Sequence, residues 1–311
     1  MDQNPDPVLD DLAQRAYDFS INLDGRVERS PTLYSRGHCA VVYKGTFLPN
    51  NIEVAVKIAA GDLARRGILE VIKDAVREVH TWSKVRHKNV HPLLGITTEF
   101  DHTISFVSAW MEKGNAHDYV QDVEVDPRPL IQGIARGLHY LHDYKPASIF
   151  HGNLKGSNVL VSQDGHALLT DFGFTRVVNS SLKMTVDKIC AGALNWMAPE
   201  IVKGGELSAE GDVWAFGMTA LELFTRSIPF PDRGHPLVRP SEDETLSRLT
   251  DRWWEMCSSC WDGQPFLRPQ MSGVMKSISL LSTEELRPDA VRDDRVLEIS
   301  GLARSSFLSS P

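Results

Sequence analysis

The spacing of apolar positions divides the chain into two unlike halves. Residues 40–47 (AVVYKGTF), 52–58 (IEVAVKI) and 103–108 (TISFVS) are rich in β-branched residues and predict strands. Pro49-Asn50-Asn51 supplies a turn between the first two. Between the second and third, Ile68, Ile72, Ala75, Val79 and Trp82 recur at helical spacing and put one apolar stripe on a helix. The first hundred residues therefore predict a small antiparallel sheet with one crossing helix. Residues 1–30 show no clear strand pattern and are expected to form a loosely held leader.

Beyond Glu112-Lys113-Gly114-Asn115 the pattern turns helical. Residues 130–143 place Leu130, Ile134, Leu138 and Leu141 on one face. Residues 211–224 (GDVWAFGMTALELF) are apolar almost all round, as a helix buried at the centre of a lobe would be. Two short apolar runs, 158–161 and 167–170, are joined by a Gln163-Asp164-Gly165 turn. Residues 283–311 are polar and serine-rich and predict a frayed tail.

Composition narrows the function classes. The chain has 311 residues, 42% of them apolar and 24% charged, which is ordinary for a globular protein. A net charge of −8 argues against nucleic acid or an anionic membrane as the main partner. No apolar run reaches the ~18 residues that read as a membrane-spanning helix. The acidic start, MDQNPDPVLDD, is the opposite of a secretory signal, so a cytoplasmic location is expected. Cys257-Ser258-Ser259-Cys260 has a metal-like spacing but no second Cys/His pair, and is read as two small half-buried helix residues.

Chemistry enters through motifs in a fixed order. Val54-Ala55-Val56-Lys57 ends an apolar strand, from which the lysine can reach the phosphates of a nucleotide. Glu78, on the following helix, offers it a carboxylate. Asp171-Phe172-Gly173 follows the second short strand, where an aspartate can ligate Mg²⁺; Asn158, 13 residues earlier, can supply a second metal contact. Ala198-Pro199-Glu200, Trp261 and Arg268-Pro269 complete the series. Together these resemble the protein kinase superfamily, in its tyrosine-kinase-like, Ser/Thr-type branch, over about residues 31–282.

That resemblance implies an α+β, bilobal fold, with a small sheet lobe over 31–109 and a larger, mainly helical lobe over 110–282. It implies ATP and Mg²⁺ as ligands. Lys57 would be held by Glu78, with Asp171 and Asn158 as metal ligands and Lys155 at the γ-phosphate. Ser108 would be the gatekeeper, with the backbone of Ala109 and Met111 binding adenine and Val42, Ala55 and Leu160 enclosing the ring. Glu200 would pair with Arg268, and Asp212 would anchor the catalytic loop.

Four departures stand against this pattern. The glycine-rich loop becomes Ser35-Arg36-Gly37-His38-Cys39-Ala40 and keeps only Gly37, which predicts weakened phosphate binding. In the catalytic loop, His151-Gly152-Asn153-Leu154-Lys155-Gly156-Ser157-Asn158, Gly152 removes the usual arginine. Asn153 stands where the family has the aspartate that accepts the substrate proton, and an amide has no useful basicity. Ala193 replaces the hydroxyl residue expected to bond that aspartate. Finally, the segment after Ile228-Pro229-Phe230 is about twenty residues short of the family's usual helix there.

Loss of a positioned base costs roughly 10²–10⁴ in rate. Three readings follow: a pseudokinase that binds ATP and acts as a scaffold or allosteric regulator, a low-activity Ser/Thr kinase, and a binding module without nucleotide. Ser180, Ser181 and Thr185 are the candidate phosphosites of the activation segment. No protein substrate or partner can be named from these residues.

Overall fold

The computed structural model describes residues 18–36, 40–59, 75–76, 78–101, 103–172, 193–229 and 238–285. Five strands form one antiparallel sheet: β1 (Val27–Arg36), β2 (Ala40–Phe47), β3 (Ile52–Ala59), β4 (Leu93–Thr97) and β5 (Ser105–Ala109). Their order is β1-β2-β3-β5-β4. Alternation along β3 sorts the side chains. Val54, Val56 and Ile58 pack with Leu23, Val27, Val41 and Val107 into a small core on one face. Ala55 and Lys57 therefore point to the other face. The helical residues 75–76 and 78–82 pack there, with Ala75, Val79 and Trp82 buried. Ile68 and Ile72 of the predicted stripe lie outside the described residues.

Two strands escaped the sequence reading, β1 and β4. Residues 18–26 also differ from the loose leader expected. Leu23 N donates to Ile96 O and Ile96 N to Ile21 O, both at 2.9 Å, so this segment runs along β4. Asp24 accepts from Thr97 Oγ1 at 2.7 Å and from Thr98 N at 2.9 Å. A Cβ on Gly95 would come within 2.5 Å of Ile21 O, so the close approach requires glycine.

The larger lobe is built on α1 (Arg128–His142) and α2 (Ala209–Thr225), with α3 (Asp251–Ser259) and α4 (Met271–Glu285) packed outside them. Leu130, Ile134, Leu138 and Leu141 are all buried. Almost every residue of α2 from Asp212 to Phe224 is buried, as its all-round apolar pattern requires. The short strands β6 (Val159–Val161) and β7 (Ala167–Leu169) pair antiparallel. They tie the lobes together: Leu169 N donates to Asn89 O and His91 N to Leu169 O, each at 2.9 Å. The fold is the bilobal α+β arrangement expected.

Cys257 and Cys260 are not half-buried but fully enclosed. Burial pushes the Cys260 thiol up to about 12 and the Cys257 thiol well above its ordinary value. Among the described residues after α2 and before α3, the one helix is the single turn Glu242–Thr245. Residues 230–237, where the family's usual helix is expected to be missing, lie outside the described residues.

Candidate active site

Strand register places the upper wall of a cleft. In an antiparallel pair, directly opposed residues share a face. Lys57 opposes Val42 on β2 and Phe106 on β5, and Ala55 opposes Ser108. Val42, Ala55, Lys57 and Ser108 therefore line one surface. Below it, Leu160 is the half-exposed residue between buried Val159 and Val161. An isolated bridge joins it to Asn115, just past the segment that links the lobes. In that segment Ala109 and Met111 are half-exposed, and Trp110 N donates to Glu53 O at 3.2 Å. Gly37 lies outside the described residues, while Ser35 and Arg36 end β1 and Ala40 opens β2.

Charge converges deeper in the cleft. Lys57 Nζ lies 2.8 Å from Asp171 Oδ1 and 3.5 Å from Glu78 Oε1. Burial disfavours the ammonium, but Asp171 and then Glu78 outweigh it and raise the lysine pKa. For Asp171 burial acts upward, and Lys57 prevails and lowers it. Asp171 has φ 60°, a left-handed conformation uncommon outside glycine. Buried Phe172 holds it there, edge-on to Trp82 at 6.1 Å and to His151 at 6.4 Å.

The catalytic-loop residues hang from α2. Asp212 accepts from His151 N and Gly152 N, both at 2.7 Å, and from His142 Nε2 at 2.9 Å. Gly152, at φ 73°, takes a left-handed turn that a side chain would strain. Asn158 Nδ2 donates to Asn153 O at 2.7 Å, which leaves the Asn158 side-chain oxygen as a possible metal ligand. Lys155 is half-buried, with its ammonium 5.9 Å from the Trp196 ring centroid. Burial lowers its pKa, against the pull of Glu222 and Asp171.

Three of the positions that depart from the family pattern meet in one place. Gly152, Asn153 and Ala193 line a common cavity of about 20 Å³ with Trp196 and Asp212. That is room for about one water. Farther on, Arg268 grips Glu200 with two bonds, Nη1 to Oε1 at 2.6 Å and Nη2 to Oε2 at 2.9 Å. The same guanidinium bonds Asp262 O and Glu210 O, each at 2.9 Å. Ser180, Ser181 and Thr185 lie outside the described residues.

The sequence pattern of the family described as protein tyrosine and serine/threonine kinase matches residues 32–278. The chain belongs to that kinase family. Among its relatives, the probable serine/threonine-protein kinase roco6 of Dictyostelium discoideum is 28% identical, over 91% of this chain and 14% of that protein. The probable serine/threonine-protein kinase PBL24 of Arabidopsis thaliana is 28% identical, over 85% of this chain and 74% of that protein. Mitogen-activated protein kinase kinase kinase 11 of Rattus norvegicus is 27% identical, over 79% and 30%. The chain therefore spans only a small part of the first of these and under a third of the last.

Within this kinase domain one residue that organises the candidate site was missed. Glu222 of α2 is buried and holds three donors: Gly156 N at 2.8 Å, Trp196 Nε1 at 2.7 Å and His117 Nδ1 at 2.8 Å. It joins the catalytic loop to the segment after Ala193. A carboxylate inside an otherwise apolar helix was the signal that could have found it. A Cβ on Gly156 would meet its Oε1 at 2.7 Å, so glycine lets the loop close onto it.

Proposed function

We propose that this protein binds Mg-ATP between its lobes and acts as a pseudokinase, a scaffold or allosteric regulator whose phosphotransfer is impaired at Asn153. One observation carries the reading: the Lys57, Glu78 and Asp171 charges are assembled while an amide occupies the base position. Holding a nucleotide's phosphates and metal calls for the first, and impaired proton transfer follows from the second. The apolar slot of Val42, Ala55 and Leu160 suits adenine, with the backbone of Ala109 and Met111 at its edge and Ser108 behind. Lys57 would hold the α- and β-phosphates and Lys155 the γ-phosphate. Asp171 and Asn158 present oxygen donors that fit Mg²⁺, whose contribution when bound is to neutralise charge on the phosphates. We assign residues 31–109 and 110–282 to the two lobes on the same reading.

A second reading, a low-activity Ser/Thr kinase, draws on the same ion pairs. Phosphoryl transfer relies mostly on positioning and charge, and Asn153 can still orient a hydroxyl. Two measurements separate the readings. Millimolar Mg-ATP should raise the melting temperature, by linkage of about 2.7 kcal/mol at a ligand concentration 100 times Kd. No shift would leave a binding module without nucleotide. In a phosphotransfer assay, the wild type should be inactive and Asn153→Asp should gain at least about 100-fold. Wild-type transfer abolished by Lys57→Met would favour the weak kinase instead.

A further inference from the structure

A groove of about 530 Å³ lies among the C-terminal half of α1, the loop after the Glu78 helix and the outer helix α4. It shares no residue with the nucleotide cleft. Its walls are fixed by aromatic contacts. His87 stacks on Tyr140, with ring centroids 4.7 Å apart and planes 13° apart. The Tyr140 hydroxyl accepts from Arg86 N at 3.0 Å, and Tyr144 stands edge-on to Tyr140 at 6.0 Å. Asn89 N donates to His87 Nδ1 at 3.1 Å, so the neutral ring carries its proton on Nε2 and offers a donor there. Asn89 also donates from its side chain to Ala167 O at 2.9 Å, which anchors the whole loop on β7.

Positive charge gathers around this frame. Arg136 rises half-buried from α1, Lys145 follows the helix and Lys88 follows His87. Burial, and then Lys88, Arg136 and His139, all resist protonation of His87. Lys88 and Arg136 thus sit within electrostatic reach of one ring. Asp143 is the one carboxylate lining the groove, and it sits 3.6 Å from His139. Among the described residues, no carboxylate lies within ion-pair distance of Arg136, Lys88 or Lys145. In a chain of net charge −8, carboxylates outnumber cations, yet none of the described ones pairs with this cluster. A half-buried guanidinium without a partner costs stability, and a ligand anion offsets that cost.

We propose that this groove docks a phosphorylated segment of a partner protein. The phosphate sits among Arg136, Lys145 and His87 Nε2, and the flanking peptide lies on Tyr140, Tyr144 and Met275. A phosphate dianion has three strong acceptor oxygens for these separate donors, and Arg136 can bind two of them at once. A carboxylate has two oxygens and a single charge. A free anion would fill only a fraction of the groove, and the aromatic and apolar walls would then face water. The proposal is independent of nucleotide binding.

The test uses two fluorescein-labelled peptide pools with randomised flanks, one with a central phosphoserine and one with serine. Binding to the full chain is followed by anisotropy, with Mg-ATP and inorganic phosphate as competitors. The phosphoserine pool should bind at least tenfold tighter than the serine pool, and Mg-ATP should not displace it. Arg136→Ala should weaken it tenfold or more, Arg136→Lys less, and Arg136→Ala with Lys145→Ala should abolish the difference between pools. The urea midpoint of Arg136→Ala should be no lower than that of wild type, since no bonded partner is stranded and an unpaired guanidinium is removed. Equal binding of the pools, or unchanged binding by Arg136→Ala, overturns the proposal. So does inorganic phosphate binding as tightly as the phosphoserine pool, which would make this a simple anion site.

Discussion

Replacing Glu222 by glutamine and by alanine separates what its charge contributes from what its shape contributes. Oε2 accepts from both Gly156 N and Trp196 Nε1, while Oε1 faces His117 Nδ1. A glutamine can keep its carbonyl at the Oε2 position and satisfy the two buried donors. Its amide nitrogen then meets His117 Nδ1, which becomes an acceptor when the imidazole proton moves to Nε2. The loss is the charge assistance on two bonds, about 1–1.5 kcal/mol in all. Alanine instead strands two buried N–H groups at about 1–3 kcal/mol each, for a total near 4 kcal/mol. His117 is partly exposed and can turn to water. With a urea m-value of about 3 kcal/mol/M, the variants should differ by about 0.8–1 M in midpoint. Tryptophan fluorescence reports this directly, because Trp196 is itself a partner. Equal destabilisation by the two substitutions would refute the argument. A pH dependence should accompany it. The bond to Glu222 raises the His117 pKa against burial, so its stabilisation is full below about pH 6.5 and fades as pH rises through the raised value. Glutamine at 222 should flatten that dependence.

Two further perturbations probe other parts of the molecule. His91 is buried, and burial lowers its pKa to about 4. Its contribution to stability should therefore be full above about pH 6.5 and fall by about 3 kcal/mol down to pH 4, and His91→Leu should remove that part of the slope in urea titrations at each pH. Gly95→Ala should push residues 21–24 off β4, losing two backbone bonds and burial of Leu23, about 2–3 kcal/mol. Hydrogen exchange should then quicken at Leu23 and Ile96 and stay unchanged in β2 and β3; unaltered exchange at Ile96 would show that the segment can shift without detaching.

Much of the architecture could be read from periodicity, because strongly amphipathic or wholly apolar runs have few alternatives. The stripe of Leu130, Ile134, Leu138 and Leu141 and the apolar run of α2 needed no tertiary information. β1 and β4 escaped because their partners decide them. The β1 stretch VERSPTLYSR carries exposed polar residues and a proline on an edge strand, where pairing to β2 rather than burial makes it extended. β4 is short, and His91-Pro92 before it reads as a breaker. Residues 18–26 looked unstructured for the same reason: one glycine at position 95 and one aspartate at position 24 hold them, and neither leaves a periodic trace.

The candidate site residues could be picked out from the chain itself. Lys57, Glu78, Asn153, Asn158 and Asp171 stand at spacings that mark them, and so do the changes at Gly152 and Ala193. Only the tertiary structure decided how these residues act on one another. It brought Lys57 and Asp171 to 2.8 Å across 114 residues of chain. It gathered Gly152, Asn153 and Ala193 around one small cavity, and turned Glu222 from a stray charge in a helix into the clasp of the catalytic loop. Spacing determines which face a side chain occupies. Which distant groups share that space, and so which charges are paired and which are left for a ligand, depends on packing between elements that no local pattern records.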